Sequence, residues 1–243
     1  MLKLIKTIAA VSALALMTAC GGGGGGGGGS TVANADPQGI WTGPTSTGYT
    51  ASVVVLETGE TWGVYSSGTT IYGALYGTTT TAGNNASVSG TDFNFLTNTS
   101  ASDTLTGSIV AKSSMSLTGN TVTVPLTYSN SYDATPVAAT GTWSFVGRSK
   151  SYSLLPGTIT IDNNGSFTLN QTNCVTTGSV VPRSTGKNIY NISLSSVGSG
   201  CAAGQSSLAG VAYVDTTVTP NKLLSLALTT DKTDGVVVIG TKQ

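Results

Sequence analysis

The chain has 243 residues, of which ten are basic, ten are acidic and none is histidine. The lack of histidine excludes Ser-His-Asp and Cys-His catalysis and zinc sites that use histidine. The balanced charge leaves no basic stripe to neutralise a phosphate backbone, so we expect no nucleic-acid partner. With 39% hydrophobic residues and no net charge, the chain differs from disordered sequences, and we expect it to fold.

The first part of the chain has the pattern of an export signal. Lys3 and Lys6 form a short positive segment, and residues 7–17 form an apolar run without charge. A helix that spans a bilayer needs about 20 apolar residues, so this run is too short to remain as a membrane anchor. We therefore expect residues 1–19 to be a signal peptide that is removed.

Met17-Thr18-Ala19-Cys20 places small residues before a cysteine at the expected cleavage point. This motif resembles the lipobox of bacterial lipoproteins. The resemblance implies that the Cys20 thiol takes a diacylglyceryl group and that the new amine is acylated, and several chains on one residue make release from a membrane slow. Gly21 is not acidic, which in the resembled families goes with the outer membrane, on a face that the sequence leaves open. The alternative is an ordinary secretory signal in which Cys20 has no role.

The segment 20–38 is predicted to be a flexible linker. Residues 21–29 are nine consecutive glycines. Glycine loses the most backbone entropy on ordering and has no side chain to bury, so we expect a coil that reaches roughly 15–18 Å.

Beyond residue 38 the composition predicts all-β structure, because threonine and valine favour half-buried strand positions and glycine and asparagine favour tight turns. Runs that alternate between apolar and polar residues recur along it, as in 121–128. Pro125 in that run has no N–H to donate, which predicts an edge strand or a bulge. The candidate strands are residues 52–56, 61–65, 71–76, 86–95, 104–111, 121–128, 142–146, 157–161, 166–171, 177–181, 188–195, 207–214, 222–229 and 235–240.

The two halves of the chain share short matches. Gly39-Ile40-Trp41-Thr42 matches Gly141-Thr142-Trp143-Ser144 at an offset of 102 residues. Three weaker matches, at offsets of 103, 102 and 105 residues, are 105–107 with 208–210, 125–127 with 227–229, and 57–62 with 162–167. This repeat predicts two similar units, residues 39–136 and 137–243.

Each unit would hold seven or eight strands in meander order, and such a sheet removes its edges most simply by closing into a small barrel. We therefore predict two tandem antiparallel β-barrels, with Trp41 and Trp143 closing one end of each. One large sandwich or barrel built from both halves is the alternative. The outline resembles bacterial surface lipoproteins of the transferrin-binding and factor-H-binding groups, which implies a binding function. No ligand motif of those families matches, so the resemblance implies no binding residues.

Besides Cys20 the chain has Cys174 and Cys201. In an exported chain this pair predicts a disulfide, which would stabilise the fold by about 3–4 kcal/mol in the chain-entropy model. The alternative is a redox or metal pair, but the sequence has neither a CxxC motif nor histidine. We predict no metal and no cofactor.

Four tyrosines of the first half form the candidate binding surface, because tyrosine offers a protein or glycan partner rigid contact area with a polar tip. The alternative is that these rings fill a barrel or line its rim. They are Tyr49, Tyr65, Tyr72 and Tyr76.

Carboxylates are the remaining catalytic groups, since glycoside hydrolysis needs two acids that flank one bond. Glu57 and Glu60 lie at a predicted hairpin tip, where we expect them to be solvated. An enzyme acting on a polysaccharide would need two of the remaining candidates to converge in a cleft. These candidates are Asp92, Asp103, Asp162 and Asp215.

Asp162-Asn163-Asn164-Gly165 resembles the start of a calcium loop, but Asn173 stands where the loop needs glutamate, so we predict a turn. The sequence as a whole predicts a lipid-anchored, non-enzymatic β protein of the outer membrane that binds an unidentified partner or forms part of the surface. A carboxylate-dependent enzyme acting on a polysaccharide and a purely structural envelope protein are the alternatives.

Overall fold

The structure is a computed structural model that describes residues 33–150, 153–201 and 206–243. The predicted signal peptide, Cys20 and the glycine tract lie outside the described residues. Within the described part of the chain, no helix has the length and apolar character needed to cross a membrane.

The first barrel contains eight antiparallel strands in meander order. They are β1 (Gly39–Pro44), β2 (Thr50–Val55), β3 (Glu60–Ser67), β4 (Thr70–Ala82), β5 (Asn85–Asn94), β6 (Thr99–Val110), β7 (Ser114–Thr118) and β8 (Thr123–Ser129). Pairing of β1 with β8, from Ile40↔Ser129 to Thr42↔Thr127, closes the sheet. A short 3₁₀ helix, Asn130–Asp133, follows.

The second barrel repeats this order but is not fully closed. Its strands are β9 (Gly141–Ser149), β10 (Ser153–Ile161), β11 (Ser166–Gln171), β12 (Cys174–Pro182), β13 (Tyr190–Val197), β14 (Ser207–Asp215), β15 (Lys222–Thr229) and β16 (Gly235–Lys242). β9 pairs with β16 as β1 does with β8, whereas β10 and β11 form the two edges. The prediction of an all-β antiparallel meander that forms two tandem barrels is confirmed.

Trp41 and Trp143 occupy equivalent places in the two barrels. Both side chains are buried. Each indole N–H donates to the carbonyl four residues earlier, Pro37 at 2.9 Å and Ala139 at 2.8 Å. The strongest sequence match therefore reflects a repeated structural feature.

The partner of each indole differs between the barrels. Tyr128 on β8 packs edge-on against Trp41, with ring centroids 5.2 Å apart. At the corresponding place on β16, the Lys242 ammonium lies 4.7 Å from the centre of the Trp143 ring, an attraction between a cation and an aromatic face.

Two of the weaker sequence matches need correction. Gly59 and Gly165 both have positive φ, and their carbonyls accept from the N–H of Thr79 and Val180 respectively, each at 2.8 Å. These turns correspond at an offset of 106 residues, not 105, and a slip of one residue exchanges the two faces of a strand. The match of 125–127 with 227–229 is a coincidence, because it pairs the eighth strand of one barrel with the seventh of the other.

The prediction that Pro125 lies in an edge strand or at a bulge is wrong, because β8 pairs with both β7 and β1 and its register with β7 does not shift at Pro125. Pro125 is tolerated because the ladder between β1 and β8 reaches only from Thr127 to Ser129, so no N–H is required of residue 125 on that side.

The two barrels pack against each other through apolar outer faces. Strands β2–β4 of the first barrel contact strands β14–β16 of the second. The main contributors are Val54, Trp62, Val64 and Ala74 on one side, and Val211, Tyr213, Leu226, Leu228 and Val237 on the other. A polar bond also links the two units: the Asn188 amide donates to the carbonyl of Ser131, in the 3₁₀ helix after the first barrel, at 3.0 Å, and to that of Val214 within the second barrel at 2.7 Å.

Cys174, at the start of β12, is bonded to Cys201 in the connection between β13 and β14. The predicted disulfide is confirmed. It ties two neighbouring loops at the same end of the second barrel.

Candidate ligand cavity of the first barrel

The first barrel encloses a cavity of about 260 Å³ that opens at one end. Trp41 and Tyr128 fill the interior towards the other end, where β1 begins. The wall of the cavity is mostly apolar and includes Val53, Leu75, Val88, Leu105, Met115 and Leu126. Its open end carries Thr47, Tyr49, Tyr65, Asp92, Asn94 and Asp103.

The loop between β1 and β2 places Tyr49 at the mouth of the cavity. Thr45 holds both backbone groups of Tyr49: its N–H donates to the Tyr49 carbonyl at 2.7 Å, and its Oγ1 accepts from the Tyr49 N–H at 3.0 Å. The Tyr49 ring stacks on Tyr72 with centroids 4.3 Å apart and lies 6.0 Å from the Tyr65 ring. Tyr49 is therefore the middle ring of a three-tyrosine stack.

Tyr65 owes its position to an irregularity in the sheet. The register of β3 against β4 shifts between Tyr65 and Ser66, and the residue opposite Tyr65 is Gly73. A Cβ atom at Gly73 would collide with the Tyr65 ring and with the Phe93 carbonyl. Glycine at this position therefore lets the ring lie against the strand, where its hydroxyl donates to Asp92 Oδ2 at 3.4 Å and to the Phe93 carbonyl at 3.2 Å.

Asp92 and Asp103 face the cavity from adjacent strands. In the ladder of β5 and β6, Gly90 pairs with Asp103 and Asp92 pairs with Ala101. The two aspartates are therefore diagonal neighbours on one face, a relationship that separates their Cα atoms by roughly 7–8 Å. The structure shows no ion pair for either carboxylate within the described part of the chain.

The surroundings of the cavity mouth destabilise the charged forms of Asp92 and Tyr65. Burial and the charge of Asp103 raise the pKa of Asp92, an effect that the hydrogen bond from Tyr65 partly offsets. Burial and the neighbouring Asp92 carboxylate also raise the pKa of Tyr65. Asp92 is therefore a half-buried acid whose charged form lacks a compensating cation.

The predicted tyrosine surface is only partly assembled. Tyr49 and Tyr65 lie at the cavity mouth and Tyr72 stacks on Tyr49, but Tyr76 does not belong to this cluster. It lies on the outer face of β4, where its ring packs against Trp62 at 4.6 Å and its hydroxyl donates to Glu60 Oε1 at 3.0 Å. The reason is the two-residue period of a strand, since Tyr76 faces opposite to the inward-facing Leu75.

The remaining acids lie away from the cavity. Glu57 is exposed, as expected, but it also forms an ion pair with Arg183 of the second barrel. Asp162 holds the predicted turn, its Oδ1 accepting from the N–H groups of Asn164 at 2.8 Å and Ser166 at 2.9 Å. Asp215 accepts from the Thr217 N–H at 2.9 Å. Among the described residues, no group of three or more Cys, Asp or Glu side chains could hold a metal ion.

The interior of the second barrel is different. Its cavity has a volume of only about 80 Å³, and no charged side chain is among the described residues that line it. The lining includes Phe145, Ile159, Phe167, Leu194 and Val236. Among the described residues, the charged side chains that line an interior cavity therefore belong to the first barrel.

Comparisons with protein-family models, with curated protein sequences and with solved structures each found no match to this chain. From the sequence, Asp92 and Asp103 are possible catalytic acids with no sign that they lie beside the tyrosines. The alternation of β5 and β6 places them on the inward face, but only the closure of the sheet brings them beside the tyrosines.

Proposed function

We propose that this protein is a lipid-anchored, non-enzymatic binding protein of the cell envelope that holds a small ligand in the cavity of its first barrel. The observation that carries the proposal is the cavity itself, with an apolar wall and a few polar side chains at one open end. Pockets for small ligands have this composition. Eight-stranded barrels are also just wide enough to hold one small ligand.

The size of the cavity supports a ligand larger than a few water molecules. Its volume of about 260 Å³ exceeds the roughly 150 Å³ of an engineered apolar cavity that holds benzene. A shaped interior space of this kind also favours a binding role over a purely structural one, for which a filled barrel would be sufficient.

The cavity is tested by ligand-dependent stability. A molecule that binds only the folded state raises stability by about 2.7 kcal/mol at a concentration one hundred times its dissociation constant. We expect a library of small amphiphilic molecules to contain compounds that raise the thermal midpoint of the wild-type protein. The Ala51→Phe variant, which fills the cavity from β2, should show no such shift. Equal shifts in both proteins would refute the proposed site.

The lipid anchor needs a separate test. Cells grown with radiolabelled palmitate should incorporate label into the wild-type protein and not into the Cys20→Ser variant. Protease treatment of intact and permeabilised cells then reports which face of the outer membrane carries the folded part. Labelling of the Cys20→Ser variant would contradict the anchor and leave the cavity proposal untouched.

A carboxylate-dependent hydrolase remains a second candidate, favoured by the convergence of Asp92 and Asp103 in one cavity. Asp92 would act as the acid because its pKa is raised. The enclosed cavity admits a terminal sugar but not an internal segment of a polymer, so binding is the better-supported function. Release of nitrophenol from aryl glycosides that disappears in Asp92→Asn would establish the hydrolase and overturn the non-enzymatic proposal.

A further inference from the structure

We infer that the cavity of the first barrel selects a small organic cation, an ammonium group joined to an apolar body. This inference rests on the proposed binding function and adds the chemical class of the ligand. It combines three independent features of the cavity: its charge, its aromatic mouth and its apolar wall.

The charge of the mouth has one sign. Asp92 and Asp103 face the cavity, and no lysine or arginine is among the described residues that line it. Two acids outside the cavity are paired with cations, Asp133 with Lys112 and Lys187, and Glu57 with Arg183. A cationic ligand would supply the counter-charge that the protein does not provide for Asp92 and Asp103, and two like charges in a cleft attract such a ligand from solution.

The aromatic side chains at the mouth favour the same ligand. Tyr49 stacks on Tyr72 at 4.3 Å and lies near Tyr65, so a cluster of aromatic rings, whose faces are electron-rich, lies at the entrance. An ammonium group within about 6 Å of a ring centroid is attracted by the ring quadrupole. The protein itself makes this contact elsewhere, where the Lys232 ammonium lies 4.7 Å from the Tyr76 ring centre.

The wall of the cavity determines the chemical character of the rest of the ligand. Below the mouth most of the lining side chains are aliphatic or methionine, among them Val53, Leu75, Val88 and Met115. An alkyl or phenyl group placed there gains about 25 cal/mol for each Å² of apolar surface that it buries. The arrangement therefore orients a ligand with its cation at the mouth and its apolar end inward.

The test uses four probes on the purified protein. The first three, 2-phenylethylamine, 2-phenylethanol and phenylacetate, have nearly the same shape and carry a positive, a zero and a negative charge. Methyl β-glucoside represents a neutral sugar. Calorimetric titration should show that the amine binds at least tenfold more tightly than the alcohol and that phenylacetate does not bind. Ala51→Phe should abolish binding of both the amine and the alcohol.

Matched variants then test whether Asp92 and Asp103 cause the preference for the amine. Asp92→Asn and Asp103→Asn should each weaken the amine at least tenfold and leave the alcohol within twofold. Asp162→Asn removes the same charge from a distant turn and keeps an Oδ1 acceptor, so it should leave amine affinity unchanged. Tyr49→Leu, which removes the middle ring of the stack, should weaken binding of the amine, whereas Tyr49→Phe, which keeps that ring, should bind the amine as tightly as the wild type.

The outcomes separate this inference from the proposed function. Equal affinity for the amine and the alcohol, both lost in Ala51→Phe, would overturn the cation inference and support the binding cavity. Preference for phenylacetate or the glucoside would overturn the inference in the same way. Failure of all four probes, together with the absence of library compounds that stabilise only the wild type, would overturn both.

Discussion

The Tyr65 hydroxyl donates to the carboxylate of Asp92 at 3.4 Å inside the open end of the first barrel. This bond, together with the space left by the missing side chain of Gly73, holds the Tyr65 ring in place. The bond does not fully offset the effect of burial on Asp92, whose pKa stays raised. Groups that a binding site leaves imperfectly satisfied lower the stability of the free protein. The cost of this arrangement can be measured.

We expect Asp92→Asn to stabilise the free protein at neutral pH. The folded-state pKa of Asp92 lies above its unfolded value, so the wild type loses stability as pH rises through the folded pKa, and the variant does not. Urea unfolding at pH 7 should give a higher midpoint for the variant. The difference should shrink as pH falls and vanish well below the unfolded pKa of about 3.9, where the carboxyl is protonated in both states. A variant less stable than wild type at pH 7 would contradict this account.

Asp133 shows the opposite behaviour. Hydrogen bonds from Lys187 and Lys112 are the main reason that the pKa of Asp133 lies below its usual range. Its contribution to stability is therefore present above the unfolded pKa of about 3.9 and is lost as pH falls towards the folded value. Because these side chains are partly exposed, Asp133→Asn should cost no more than about 1 kcal/mol at pH 7. The cost should shrink in acid and in high salt, and one that is constant with pH would exclude the ion pairs as its source.

The disulfide should stabilise the second barrel because the cross-link lowers the conformational entropy of the unfolded chain. Cys174 and Cys201 are 27 residues apart, which corresponds to roughly 3.5 kcal/mol in the chain-entropy model. We expect the Cys174→Ala/Cys201→Ala variant to unfold at a lower urea concentration, and reduction of the wild type should lower the midpoint similarly. A reduced wild type that is much more stable than the double variant would show that lost packing, and not the lost bond, dominates.

The equivalent tryptophans provide a test of the internal repeat. Trp41→Phe and Trp143→Phe each remove an indole N–H that donates to a backbone carbonyl. Each variant should lose about 1 kcal/mol for the bond, plus a small packing term. Chemical unfolding of the two variants should give costs that agree within about 0.5 kcal/mol. A much larger loss of unfolding free energy at one position would show that the two tryptophans, although equivalent in structure, do not contribute equally to stability.

The strand pattern and the repeat could be predicted from the sequence because they depend on local properties. The two-residue alternation of β8 and β13, the turn at Asp162 and the match around Trp41 need only neighbouring residues. The sequence match of the two hairpins is wrong by one residue. In a chain rich in threonine and glycine, short matches arise by chance, and they carry no information on which face of the strand a residue occupies. Thr61 faces inward and Trp62 outward, and that distinction decides the correct alignment.

The contact between the barrels is also visible in the sequence of β16. Residues 236–239 form an uninterrupted apolar run, and strands buried on both faces have such runs. The structure shows that Val237 faces the first barrel while Val236 lines the second. The apolar run therefore predicts that both faces of β16 are buried, but it does not predict that the first barrel covers one of them.

The order of residues is sufficient for the all-β class, the number of repeats and the cysteine pairing, because each depends on pattern, composition or count. Three-dimensional packing was required to separate Tyr76 from the other three tyrosines and to bring Asp92 and Asp103 beside them. The physical reason is closure: strands β2 to β6 lie far apart in sequence, and their inward faces meet only when the sheet curves into a barrel. Whether a polar residue lines a cavity or faces solvent depends on that curvature, which the local pattern does not contain.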